Sequence, residues 1–253
     1  MKEPVWNKFL TEADKELWQA GGYDARQGFG ARPAILVIDV NYAFTGDRRE
    51  PVADSIQRWP YSCGEDAWDA MDHIKRLLGC ARAKGLPVIY TTNDWRADRW
   101  DAASWEWKNR GPRQTPATEK AQQSNLDGNT INAEIAPQPR DIVIRKLKPS
   151  AFHGTPLNSL LINLKADSLI VVGTSTSSCV RASVTDAFSE NYRVTVVEEG
   201  CFDRFQSSHA INLRDIHARY GDVIGIDEVV GFIDGLPDEL FDLPGGGPAG
   251  GGA

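Results

Sequence analysis

The sequence has few cysteines, and none of them lie in a spacing that forms a metal site or a disulfide framework. Its 253 residues contain four cysteines, Cys63, Cys80, Cys179 and Cys201, without a CxxC pair. Disulfide-stabilised secreted domains are short and much richer in cysteine, and zinc fingers need closely spaced cysteine and histidine ligands. The scarcity of cysteine therefore argues against both of these classes.

Long apolar segments and an excess of positive charge are also absent. No apolar run approaches the roughly 18–20 residues that a membrane-spanning helix needs, and the first residues lack the apolar stretch of a signal peptide. The formal net charge is −7, which argues against broad nucleic-acid binding, because such proteins usually present a basic patch. We therefore expect a cytoplasmic protein with no membrane or nucleic-acid partner.

Six apolar runs have the composition of β-strands. They span residues 34–40, 87–92, 141–146, 168–174, 193–199 and 222–230. Most are continuous rather than alternating, which is typical of parallel strands covered on both faces. Helical patterns separate most of them, including residues 64–84 and the stretch after Thr155 and Pro156. The alternation predicts an α/β protein with three αβα layers and a six-stranded, mostly parallel, doubly wound sheet, whose strand order the pattern does not give.

The chain divides into one predicted domain with two flanking segments. We expect an N-terminal arm at 1–30, a single domain at 31–235 and a disordered Gly/Pro-rich tail at 240–253. A connection at 93–140 is much longer than usual and holds four of the eight tryptophans. Long connections in compact domains often form functional loops or lids, and aromatic residues are also enriched in subunit interfaces. Both interpretations of this excursion stay open.

Three chemically different side chains lie at or just after the ends of predicted strands. Asp39 ends the first strand, Lys146 ends the third, and Cys179 lies five residues after the fourth, at the start of a predicted helix. Ligands of doubly wound sheets bind beyond the carboxyl ends of the strands, so these groups should share one edge. A helix N-terminus and a nearby cation lower a thiol pKa, to between roughly 3.5 and 7.5. The sequence thus predicts an activated thiol, with an inert buried cysteine as the alternative.

Charge alone does not choose between two lysines near the third strand. Lys146 and Lys148 are both candidates, and Arg145 adds a third cation to the same stretch. A helix cap or a loop hydrogen bond remains the alternative role for Asp39. The four histidines do not end core strands, so a Cys–His pair is poorly supported.

Three ordered segments resemble the signatures of one enzyme superfamily. They are ILVIDVNYAF (35–44), RKLKPSAFHGTPL (145–157) and VVGTSTSSCVRASVTDAFSENYRVTVVEE (171–199). In these segments the chain resembles the isochorismatase-like cysteine hydrolases. The resemblance implies the fold of that superfamily and a catalytic triad of Asp39, Lys146 and Cys179. The spacing of its Lys-x-x-x-Ser-Ala-Phe pattern selects Lys146 rather than Lys148.

Shorter segments are similar to the N-carbamoylsarcosine amidohydrolases within that superfamily. They are GFGARPAILVIDV (28–40), SCVRAS (178–183) and CFDR (201–204). This resemblance implies hydrolysis of a terminal amide or carbamoyl group, including ureido or biuret-like compounds, with release of ammonia and without a cofactor. It suggests Arg204 as the ligand of a substrate carboxylate, since a guanidinium fork suits that group; a surface salt bridge is the alternative. We also assign Trp95 and Phe44 to substrate binding.

The turn before the cysteine carries the predicted oxyanion site. The resemblance implies a non-proline cis peptide bond between Thr174 and Ser175, a bond that proteins rarely contain. Backbone N–H groups near Ser175 and Cys179 would hold the oxyanion. Ser178 stands where relatives often have glycine, which would alter this pocket.

Other readings of the resemblance remain. Nicotinamidases of the superfamily bind metal through an Asp-Trp-His stretch, but Arg96 stands in place of that histidine here, so we expect no metal. An isochorismatase-type vinyl ether hydrolase and a non-catalytic ligand-binding protein are the alternatives to an amidohydrolase. The resemblance also implies a homo-oligomer, either a dimer or a tetramer.

Overall fold

The centre of the fold is a six-stranded parallel β-sheet, seen in a computed structural model that describes residues 3–96, 98–108 and 126–243. Its strands are β1 (Pro33–Ile38), β2 (Val88–Asn93), β3 (Ile142–Lys146), β4 (Ser168–Thr174), β5 (Arg193–Phe202) and β6 (Asp222–Ile224). The order β3-β2-β1-β4-β5-β6 places the topological switch point between β1 and β4. Every neighbouring pair is parallel, so the predicted doubly wound sheet is confirmed.

Helices cover both faces of this sheet. They are α1 (Glu12–Ala20), α2 (Tyr42–Thr45), α3 (Val52–Ser55), α4 (Glu65–Ala83), α5 (Ser104–Lys108), α6 (Leu157–Leu164), α7 (Arg181–Ser189), α8 (Gln206–Arg219) and α9 (Ile226–Asp234). Buried side chains of α4 and α9 pack on one face, and those of α6, α7 and α8 pack on the other. Successive strand residues point to opposite faces, so the continuous apolar strands fill both layers.

The sixth predicted strand is wrong over most of its length. Only Asp222–Ile224 is a strand, and Ile226–Asp234 is a helix. Ile226, Val229 and Ile233 recur at three- and four-residue steps and are buried against the sheet. This helical spacing decides the structure, because it lets one helix face bury its apolar residues. The fifth predicted strand continues three residues further, to Phe202.

Both terminal segments contribute buried aromatic residues. Trp6 and Trp18, in the predicted N-terminal arm, are buried and lie against the His217 ring, with ring centroids 5.6 and 6.2 Å away. Phe241, in the predicted tail, is also buried and lies beneath the Arg32 guanidinium. Residues 244–253 of that tail and residues 109–125 of the excursion lie outside the described residues. In the described part of the chain, no helix is both long and apolar enough to span a bilayer.

Candidate active site

Asp39 follows β1 directly and is held at the carboxyl edge of the sheet. Its backbone has a φ of 53°, a left-handed conformation that aspartate adopts more readily than most residues. Its N–H donates to Thr91 O over 3.1 Å, and Thr91 Oγ1 donates to Asp39 Oδ1 over 2.8 Å. A Cβ on Gly173 would lie 2.1 Å from Ile38 O, so glycine permits the close approach of β4 to the end of β1. The carboxylate is thereby fixed at the switch point.

Lys146 ends β3 and brings its ammonium to the same point. Inward and outward side chains alternate along β3, so that Ile144 and Lys146 are buried while Val143 and Arg145 are exposed. Lys146 Nζ lies 2.7 Å from Asp39 Oδ2 and 3.5 Å from Cys179 Sγ. It also donates to Lys148 O over 3.1 Å. Lys148 therefore contributes its backbone carbonyl oxygen to the cluster.

Cys179 lies in a single π-helical turn, Thr176–Val180, between β4 and α7. Its side chain is almost fully buried, with 7% of the residue surface exposed. Val180 N–H donates to Ser175 O over 3.2 Å, and Ser183 Oγ donates to Cys179 O over 2.7 Å. The thiol consequently points from a rigid turn toward the carboxylate and the ammonium.

Two residues that were not predicted from the sequence, Asp203 and His209, form hydrogen bonds with the turn that carries Cys179. Asp203 Oδ2 accepts hydrogen bonds from Ser177 N–H, over 2.9 Å, and from Ser177 Oγ, over 2.6 Å. His209 Nδ1 lies 2.8 Å from Thr176 Oγ1. Asp203 directly follows β5, so its position after a strand end was an available signal. The side chain of His209 comes from α8, and no local pattern indicates its contact.

The expected low pKa of the Cys179 thiol is wrong. Burial and the negative charge of Asp39 together raise the pKa of Cys179 to about 12, and the cation of Lys146 only partly opposes them. For Lys146, burial lowers the pKa, but the negative groups of Asp39 and Cys179 outweigh burial and leave the pKa above its usual value. The resting site accordingly holds a neutral thiol beside a carboxylate–ammonium pair.

One carboxylate oxygen is open to a further proton. Asp39 Oδ2 is buried and lies 2.7 Å from Lys146 Nζ in an ion pair. A carboxylate oxygen has two lone pairs, so one contact with the ammonium leaves the second available. Such an oxygen can receive a proton from a neighbouring acid.

The peptide bond between Thr174 and Ser175 is cis, at the position that the resemblance implies. Both residues are buried, and Thr174 Oγ1 donates to Phe202 O over 3.1 Å. Ser178 N–H donates to Ser175 O over 2.9 Å. The Ser178 amide is thus engaged within the turn rather than facing a pocket.

The structure brings together only two of the three predicted substrate-binding side chains. The Arg204 guanidinium lies 5.8 Å from the Phe44 ring centroid and 5.9 Å from that of Tyr61, and it donates to Tyr61 O. Trp95 instead packs against Arg99, whose guanidinium lies 4.4 Å from its ring centroid. Within the described residues, no hydrogen bond or ion pair joins these side chains to the Asp39–Lys146–Cys179 cluster.

The described residues contain no group of three or more histidine, cysteine, aspartate or glutamate side chains that could hold a metal ion. The ammonium of Lys146 lies 3.5 Å from the thiol sulfur. The chemistry available from the described cluster is therefore that of a thiol, a carboxylate and an ammonium.

A doubly wound parallel sheet with these three groups buried at its switch point defines an αβα protein with an enzyme-like site. The isochorismatase domain model matches residues 33–228, and the chain belongs to the isochorismatase family. This membership confirms the resemblance seen in the sequence motifs.

Similar proteins support a hydrolase. The chain is 35% identical over 233 residues to N-carbamoylsarcosine amidase of an Arthrobacter species, a match that covers 89% of this chain and 80% of that protein. It is 33% identical to maleamate amidohydrolase of Pseudomonas putida, over 81% of this chain and 88% of that protein. A cysteine hydrolase from Pseudomonas syringae shares the fold, with a TM-score of 0.69 and 24% identity over 83% of this chain and 96% of that one. The chain is thus a hydrolase of the isochorismatase family.

Proposed function

We propose that this chain is an amidohydrolase that cleaves a terminal amide or carbamoyl C–N bond of a small molecule and releases ammonia. The observation that carries this proposal is the position of Lys146 Nζ, 2.7 Å from Asp39 Oδ2 and 3.5 Å from Cys179 Sγ. This contact joins a nucleophile, a base and a charge-balancing cation in one buried cluster. The two relatives from Arthrobacter and Pseudomonas putida are amide-cleaving enzymes by name.

The reaction begins with proton transfer from the thiol to Asp39. Since the pKa of Cys179 is raised to about 12, the thiol enters the reaction protonated and needs a base. Asp39 Oδ2 takes its proton, and the ammonium of Lys146 stabilises the thiolate that forms. The thiolate then attacks the amide or carbamoyl carbon.

The intermediate collapses with loss of ammonia. Asp39 returns its proton to the leaving nitrogen, and a thioester or thiocarbamate remains on Cys179. Water activated by the same carboxylate hydrolyses this bond and regenerates the thiol. Each step uses the three clustered side chains and no cofactor.

Backbone N–H groups near Ser175 and Cys179 hold the oxyanion in this proposal, and loss of one such donor typically lowers the rate about 100- to 1000-fold. Arg204 binds a substrate carboxylate, with Phe44 forming an apolar wall beside it. Their mutual contact supports a shared pocket wall. We retain Trp95 as a further substrate contact from the excursion.

The test is an ammonia-release screen over carbamoyl, ureido and primary-amide compounds, with Cys179→Ala as the inactive variant. Cys80→Ala, on α4, is the control for removing a thiol elsewhere. Loss of turnover only in Cys179→Ala, with a covalent adduct on Cys179 in mass spectra of the wild type, supports the proposal. Undiminished turnover in Cys179→Ala, or cleavage of vinyl ethers but of no amide, contradicts it. The cytoplasmic location and the homo-oligomer remain predictions.

A further inference from the structure

We propose that Trp105, in helix α5 of the excursion, is a positioning residue for Lys146. This inference rests on the proposed function and assigns to the excursion a role in the reaction. Trp105 Nε1 donates a 3.0 Å hydrogen bond to Leu147 O. Leu147 directly follows Lys146, so the indole holds the chain at the point where it leaves β3.

A second contact ties the same two segments together. Lys148 Nζ donates to Ser104 Oγ over 3.2 Å, so consecutive residues of α5 bind consecutive residues after β3. The carbonyl of Lys148 in turn accepts the hydrogen bond from Lys146 Nζ over 3.1 Å. Hydrogen bonds from α5 thus hold Leu147 and Lys148, and the backbone of this same segment supplies the carbonyl that binds the buried ammonium.

Strand pairing in the sheet gives little support to Leu147 and Lys148, the residues that follow β3. In the described part of the chain β3 is an edge strand that pairs with β2, and Lys146 is its last residue. Among the described residues the Lys146 ammonium contacts Asp39 Oδ2, Cys179 Sγ and Lys148 O, and of these Lys148 O lies outside the Asp39–Lys146–Cys179 cluster. When α5 holds Leu147 and Lys148, it fixes that third contact and with it the distance from Nζ to the thiol.

The chain offers a matched pair of tryptophans for the test. Trp105→Phe removes the indole N–H and retains an aromatic ring, and Trp107→Phe makes the same change two residues away on a side chain that is 71% exposed. We expect Trp105→Phe to slow alkylation of Cys179 by iodoacetamide about three- to tenfold, the range for one lost hydrogen bond. The pH profile of alkylation should move to higher pH, because a displaced Lys146 lowers the thiol pKa less.

Turnover should change in the same way. We expect kcat of Trp105→Phe to fall by a similar factor, with KM changed less than about twofold, because the indole acts through Lys146. Trp107→Phe should match the wild type in both measurements. Ser104→Ala, which removes the acceptor of Lys148 Nζ, should give a smaller shift of the alkylation profile in the same direction and provides a second variant if Trp105→Phe fails to fold.

The alkylation measurement separates this inference from the proposed function, because it needs no substrate. A folded Trp105→Phe with a wild-type alkylation profile overturns the positioning role, whatever the enzyme hydrolyses. Equally slow alkylation of Cys179 in Trp107→Phe overturns it as well, because the effect would then come from any change in α5 and not from the hydrogen bond of Trp105. Full turnover of Cys179→Ala would instead overturn the amidohydrolase proposal and leave the alkylation result standing.

Discussion

Thr91 Oγ1 donates a 2.8 Å hydrogen bond to Asp39 Oδ1, and this contact gives the two carboxylate oxygens of Asp39 different roles. Oδ1 is held by the hydroxyl, and Oδ2 faces the ammonium of Lys146. Because a carboxylate rotates about its Cβ–Cγ bond, holding one oxygen orients the other. The proposed proton transfer from Cys179 depends on that orientation.

Thr91→Val should lower kcat about tenfold, which is the effect of losing one hydrogen bond that orients a base. The valine has nearly the shape of threonine, so the core should stay packed. Thr92→Val, whose hydroxyl accepts from Asn41 Nδ2, controls for a buried valine at the next position. Steady-state ammonia release measures both variants, and an unchanged kcat in folded Thr91→Val would refute the orienting role.

Asp39→Asn should lower turnover about 100- to 10,000-fold, the usual contribution of a general base. The same change should lower the pKa of Cys179, because the negative charge of Asp39 raises that pKa. Thiolate absorbance near 240 nm, followed against pH and corrected with Cys179→Ser, measures this shift. A midpoint that stays in place or rises would contradict the electrostatic description of the site.

Lys146→Met should abolish turnover and destabilise the fold by about 3–5 kcal/mol, because it leaves the buried carboxylate of Asp39 without its cation. The pKa of Cys179 should rise further, since Lys146 opposes the increase. Lys148→Met keeps the backbone carbonyl that Lys146 uses and should reduce activity far less. Urea unfolding and ammonia release test both variants; the opposite order of activities would reassign the catalytic lysine.

Arg204→Lys should raise KM about 10- to 100-fold for amides that carry a carboxylate, because the two-pronged guanidinium contact is lost while the charge remains. Amides without a carboxylate should be turned over as before. The comparison needs one substrate of each kind. A uniform loss over both kinds would mean that Arg204 supports the fold through Tyr61 O and does not select the substrate.

His209 should make the protein sensitive to acid. Burial lowers its pKa to about 4, with Asp203 opposing that shift and Lys8 adding to it. In the unfolded chain histidine binds a proton near pH 6.5, so between about pH 6.5 and 4 the unfolded state binds more protons. The His209 contribution to stability is therefore complete above pH 6.5 and is lost as the pH falls toward 4, by up to about 3 kcal/mol.

Urea unfolding at pH 7, 5.5 and 4.5 measures this effect. His209→Gln should reduce the slope with which the free energy of unfolding falls as the pH is lowered. His153→Gln, a change at an exposed histidine, should keep the wild-type slope. Identical slopes in all three proteins would show that other groups cause the acid sensitivity.

Much of the architecture can be predicted from the sequence because the signals for it are local. Five of the six strands fall within a few residues of the predicted bounds, since continuous β-branched runs extend wherever both faces are covered. The sixth fails because residues 222–230 combine a three-residue strand with the start of α9. Both elements are apolar there, and the helical spacing of Ile226, Val229 and Ile233, which buries one helix face against the core, distinguishes the helix from a strand.

The environment of the thiol is the part of the site that was predicted incorrectly. A helix start and a nearby cation predict a low pKa, whereas burial together with the charge of Asp39 raises it to about 12. The degree of desolvation depends on how many distant segments close over Cys179, and no spacing in the sequence measures it.

By itself, the sequence determined that Asp39, Lys146 and Cys179 follow parallel strands, because strand ends and side-chain alternation are properties of neighbouring residues. Only the tertiary structure decided the strand order, the contacts of Thr91, Asp203 and His209, and the neutral state of the resting thiol. These depend on distances between segments far apart in the chain, such as Lys146 and Asp39, which are 107 residues apart, and on the water that folding removes from around them.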